Sequence, residues 1–107
     1  MAMAPGIFKV ASPGTDVLAI FVIDKKTYTF QGAFGGVSIE PCDGMVTLTF
    51  ASLSDLIDTQ HFSGVIGIST AKIALANGVE ISGSLNNPIT IANSIVGVGR
   101  WSSVAGS

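Results

Sequence analysis

One unbroken apolar run, Val17-Leu18-Ala19-Ile20-Phe21-Val22-Ile23, constrains this chain more than any other segment. Its β-branched and aromatic residues favour a strand, and Asp24 ends it. At seven residues it is too short to cross a bilayer as a helix, which takes about 20. As a strand it breaks the apolar-in, polar-out alternation of a sheet with one wet face. Whichever parity faces the core, at least three apolar side chains point the other way. Burying a large aliphatic side chain is worth roughly 1.5–3 kcal/mol. Three left in water forgo about 5–9 kcal/mol, as much as the net stability of a small domain. Something has to cover them.

The rest of the chain has the rhythm of an all-β sandwich or barrel, with Gly, Pro and Asn punctuating short apolar runs about every 8–12 residues. In the first half, residues 7–10, 17–23, 27–30 and 45–50 read as strands. Alternation in the last of these puts Val46, Leu48 and Phe50 on one face and Thr47 and Thr49 on the other. Ser12-Pro13-Gly14-Thr15-Asp16, Asp24-Lys25-Lys26 and Pro41-Cys42-Asp43-Gly44 carry turn chemistry. Gly32, Gly35 and Gly36 predict a bulge or sharp bend. In the second half, strands are expected over residues 62–69, 72–76, 79–85 and 89–101, the last bent at Gly97 and Gly99. Asn77-Gly78 is the strongest two-residue hairpin signal, with both residues expected at positive φ. Helix is argued only over Ser52-Leu53-Ser54-Asp55-Leu56-Ile57-Asp58, a turn or two in which a serine three places before an acid makes a capping box. The expected fold is all-β: a small antiparallel β-barrel or β-sandwich of seven or eight strands, with at most one short helix. It forms a single domain over residues 1–107 with a short flexible tail after about residue 102.

Composition bears on what covers the apolar run. Only 11% of the residues are charged, against about 25% in an average globular chain. The 12 serines and 8 threonines replace charge with small neutral groups, and interface cores are depleted in Lys, Glu and Asp. A second copy of the chain is therefore the favoured cover, in a homo-oligomer or larger assembly. Leu18, Ile20, Phe21 and Val22 are the expected interface, joined by Arg100 and Trp101, whose residue types are common among interface hot spots. The blander reading of the last pair is a core tryptophan beside a solvated arginine. The alternative function is a binding module whose barrel holds a small apolar or sugar ligand, lined by Tyr28, Phe30, Phe50 and Trp101.

Other classes find less support. Five Lys and Arg in a chain of net charge −2 are too few for a nucleic-acid stripe. Cys42, the single cysteine, allows no internal disulfide. His61 is the one side chain whose ordinary pKa lies near neutrality. With Asp55 and Asp58 it could hold a metal, but no fourth ligand is identifiable, and solvated or capping acids are the simpler reading. Cys42 sits between Glu40 and Asp43, which raise a thiol pKa and argue against a nucleophile. Gly97-Val98-Gly99-Arg100-Trp101 lacks the third glycine and the helix of a dinucleotide loop. No catalytic residue, metal or cofactor is therefore expected. Residues 1–6 show neither the basic nor the apolar region of a secretory signal. The default compartment is the cytoplasm, a membrane partner is disfavoured, and export by a signal-independent route stays open.

Overall fold

The computed structural model describes residues 2–11 and 14–105. Eight strands follow one another: β1 (Ala2–Val10), β2 (Asp16–Ile23), β3 (Lys26–Phe34), β4 (Cys42–Phe50), β5 (Thr59–Ile66), β6 (Thr70–Leu75), β7 (Glu80–Leu85) and β8 (Asn93–Ala105). They close into an antiparallel barrel in the order β1-β2-β3-β8-β5-β6-β7-β4. The choice between sandwich and barrel is thus settled. Closure gives every strand two partners.

The tail expected after residue 102 is strand instead. Ser103 pairs with Tyr28 and Ala105 with Lys26, so β8 covers the β3 ladder along its whole length. An exposed β3 edge would otherwise leave a row of unpaired backbone groups. The last two residues of that tail, and Ser12 and Pro13 of the first expected turn, lie outside the described residues. Gly32, Gly97 and Gly99 likewise sit in continuous ladders rather than at breaks, with Gly32 opposite Gly99.

Two turns exchange their expected geometry. Asp24 and Lys25 both adopt positive φ, 51° and 65°, and join Ile23 to its partner Lys26 in a two-residue hairpin. At Asn77-Gly78 only Gly78 has positive φ, 92°. Its N–H donates to the Leu75 carbonyl at 3.0 Å, and the Leu75 N–H donates to the Val79 carbonyl at 2.8 Å. That is a wider turn ending in a left-handed glycine. The expected helix is a single 3-10 turn (Leu53–Asp55) with its capping box formed.

Inside, the wall alternates as a half-buried strand should. Val17, Ala19 and Phe21 face the interior, while Leu18, Ile20 and Val22 face outward. Phe30 packs against Trp101 and edge-on against Phe62, with ring centroids 5.1 and 5.8 Å apart, and Phe21 lies 6.3 Å from Trp101. The loops plug both ends. Leu56, beyond the 3-10 turn, is buried at one end, and Ile39 and Ile89 are buried at the other. Among the described residues no charged side chain is buried.

Candidate functional site

The interior comes first, because a ligand-holding lumen would have to be there. Tyr28, Phe30, Phe50 and Trp101 do face inward, and all four are buried. They belong to one continuous apolar core that includes the plugging residues. Trp101 Nε1 is buried there without a hydrogen-bond partner.

Phe21 and Trp101 were expected at an outer interface, and the structure corrects both. Phe21 is fully buried and Trp101 nearly so. Their strand neighbours alternate, so each takes the interior parity, where a large aromatic gains most from leaving water. Of the pair Arg100-Trp101, the tryptophan is core and the arginine is exposed.

The outer wall is apolar where β4, β1 and β2 meet. Ile20 stands opposite Ile7, and Ile7 opposite Met45, so three large side chains form one row across three strands. Ile7 is 50% exposed and Met45 61%. Val22 lies along β2 beside this row, facing Thr27, which in turn faces Val104. On the other side runs a polar row in which Arg100, Gln31, Leu18, Lys9 and Asp43 are successive cross-strand neighbours. Leu18, Ile20, Val22 and Arg100 thus share the outer surface, with Ile7 and Met45 added. Met45 was legible as outward, since alternation places it with Thr47 and Thr49. Its adjacency to Ile7 was not, because strand order cannot be read from spacing.

A second outer feature was missed altogether. On the wall of β8, β5 and β6, Val96 faces Ser63 and Ser63 faces Ala74. The small side chains leave two adjoining hollows of about 290 and 240 Å³, which share Ser63 and Ala74. Val96 borders one, and Val65 and Lys72 the other. Serine and alanine carry no sequence signal for a hollow until their strands are known to be neighbours.

Residues with chemical potential are dispersed. His61 projects outward from β5 opposite Val98. Asp55 is occupied in the capping box, where Oδ2 accepts from the Ser52 N–H at 3.2 Å. Asp58 is exposed at positive φ. Among the described residues, no three His, Cys, Asp or Glu side chains gather as metal ligands would. The Gly97–Arg100 stretch is mid-strand in β8, so no helix N-terminus follows it.

A cleft of about 390 Å³ opens between Lys9, Glu40, Cys42 and Asp43 on one side and Asn87 and Ile89 on the other. Its acids act as loop clips: Glu40 Oε1 accepts from the Thr90 N–H at 2.8 Å, and Asp43 Oδ1 from Asn86 Nδ2 at 3.2 Å. The Thr90 hydrogen bonds hold the Glu40 carboxyl below its usual range. Burial first, then the charges of Asp43 and Glu40, push the Cys42 thiol up. A protonated, half-buried thiol is a poor nucleophile.

No family model matches this chain, and neither the curated proteins nor the solved structures contain a match. Among the described residues no helix is long and apolar enough to cross a membrane.

Proposed function

We propose that this barrel is a non-enzymatic structural or interaction protein that self-associates through its apolar outer wall. The observation that carries the reading is the Ile20–Ile7–Met45 row, with Ile7 and Met45 exposed and Ile20 half-buried on a barrel whose interior is already filled. A chain that has used its core residues to pack its own lumen has only another molecule left to cover that row. A standard interface hides about 800 Å² per partner, close to one-seventh of the 5797 Å² surface. Three of eight wall strands can supply that area. In this reading association proceeds by side-chain packing on that wall.

The ligand-binding alternative draws less support from a lumen packed with mutually contacting aromatic rings. Insertion into lipid fits poorly too, since membrane barrels are polar inside and this interior is apolar. The cytoplasm remains the proposed compartment, with Cys42 a free thiol.

Ile20→Asp and Ile7→Asp test the reading, since both side chains lie outside the core. Each is expected to reduce the assembly to single chains while the β-type circular dichroism persists. Variants that stay assembled with wild-type mass would contradict the proposed surface.

A further inference from the structure

An asparagine followed by glycine is chemically short-lived, because glycine leaves the next backbone nitrogen unhindered and free to turn toward the side-chain amide. Of the four asparagines, Asn77 alone has that neighbour. Asn87 precedes Pro88, whose nitrogen has no proton to lose. Asn86 and Asn93 precede Asn87 and Ser94, whose side chains crowd the attack. Asn77 and Gly78 are both exposed, and nothing lies within 4 Å of where a Gly78 Cβ would stand. Asn77 also bridges two turns: its Nδ2 donates to the Asp55 carbonyl at 2.9 Å. We infer that Asn77-Gly78 is a site of spontaneous deamidation, and that the change unlatches the 3-10 turn from the β6–β7 turn. The inference stands apart from self-association.

The turn already gathers the reacting groups. Asn77 Oδ1 accepts from the Val79 N–H at 3.4 Å, so the side chain folds back over the intervening Gly78 nitrogen. Two ties set the pace. The Gly78 N–H donates to the Leu75 carbonyl at 3.0 Å, and Asp55 holds Nδ2. Both belong to exposed turns, which open locally at little cost. The Gly78 nitrogen then gives its proton to solvent hydroxide and bonds to Asn77 Cγ. The Cγ–Nδ2 bond breaks, and Nδ2 departs as ammonia, leaving a five-membered imide. Water cleaves one of the two imide C–N bonds. Cleavage at Cγ gives aspartate, and cleavage at the backbone carbonyl gives isoaspartate. One water is consumed and one ammonia released, with nothing oxidised or reduced.

Either product replaces a donor by a carboxylate and adds one negative charge to the net −2. The Asp55 carbonyl loses its donor, and a carboxylate oxygen in the same place repels it. Asp55 and Asp58 put further like charge on the same segment. Among the described residues, the other hydrogen bonds of residues 52–57 stay within the segment or reach only Gln60. The Asn77 contact is therefore the one that ties the segment across to the β6–β7 turn. Leu56, whose nitrogen shares a peptide unit with the Asp55 carbonyl, is the buried plug at that end of the barrel. Losing the tie loosens the plug.

Incubation of the whole chain at mildly alkaline pH, folded and in urea, followed by peptide mapping for mass and isoaspartate, tests the site. The expected result is conversion at Asn77 and at no other asparagine, slower in the folded chain than in urea. Asn77→Gln, which closes the ring poorly, should resist it. Hydrogen exchange at the Leu56 N–H tests the latch, read on the converted wild type and on Asn77→Asp. Exchange should rise about fivefold, the factor that one ordinary hydrogen bond contributes. An Asn77 that stays intact in the folded chain, or conversion first at Asn86, Asn87 or Asn93, overturns the site. Conversion that leaves Leu56 exchange unchanged overturns the latch.

Discussion

Gly99 lies flat against the ring of Phe30: a Cβ at Gly99 would collide with the Phe30 Cζ. The absent side chain is what lets the ring occupy the middle of the barrel, between Trp101 and Phe62. Gly99→Ala therefore overpacks the core and should cost about 1–3 kcal/mol in urea unfolding. The double variant Gly99→Ala/Phe30→Ala should lose less than the two single changes added together, because removing the ring opens the space that the new methyl needs. Strict additivity would show that ring and backbone are not in contact.

The two exchanged turns predict effects of opposite sign. Gly78 has φ of 92°, and nothing lies within 4 Å of where a Cβ would stand, so Gly78→Ala costs only backbone strain, about 1–2 kcal/mol. At Lys25, φ of 65°, replacement by glycine removes that same penalty against an entropic cost of about 0.5–1 kcal/mol. Lys25→Gly should leave stability unchanged or raise it by up to ~1.5 kcal/mol. Thermal unfolding of the two variants checks both signs, and a stabilising Gly78→Ala would contradict the turn geometry.

Glu40 links the loop before β4 to the loop before β8 through Thr90. Its folded pKa lies below the ordinary 4.5, so its contribution is present above that value and is lost as the pH falls through the folded pKa. Acidification below 4.5 should lower the melting temperature of the wild type more steeply than that of Glu40→Gln. Parallel slopes would mean that the Thr90 contact does not favour the ionised carboxylate.

Cys42 should react sluggishly with iodoacetamide at neutral pH, since its thiol titrates above the ordinary 9.0. Burial is the larger cause, so unfolding in urea should restore the rate of a free cysteine, while Asp43→Asn should accelerate it only modestly. A native rate equal to the unfolded one would contradict the buried, acid-flanked placement.

Much of this architecture was legible in the residues, and the failures have physical reasons. The alternation of residues 45–50 fixed which face of β4 is core, and the Ser52–Asp55 spacing fixed the capping box, because both are local. The parity of residues 17–23 was not legible: a run apolar on both faces gives no signal for which side turns inward. Phe21 was consequently placed outside and is fully buried. Trp101 supports two readings in the sequence, an interface anchor or a core residue beside a solvated arginine, because a residue type common at hot spots is equally at home in a core, and the structure shows the second. The tight hairpin went to Asn77-Gly78 on residue preference, whereas the register of Ile23 with Lys26 forces positive φ on Asp24 and Lys25 instead. The Ser63–Ala74 recess depends on which strands become neighbours, a long-range property that local composition does not encode.

Sedimentation of the wild-type chain at micromolar concentration asks most directly whether another copy shields the Ile20–Ile7–Met45 row. A mass that is a multiple of 10.9 kDa and falls on dilution is the predicted result. A single species of 10.9 kDa at every concentration, with Ile7 and Met45 left in water, would contradict it.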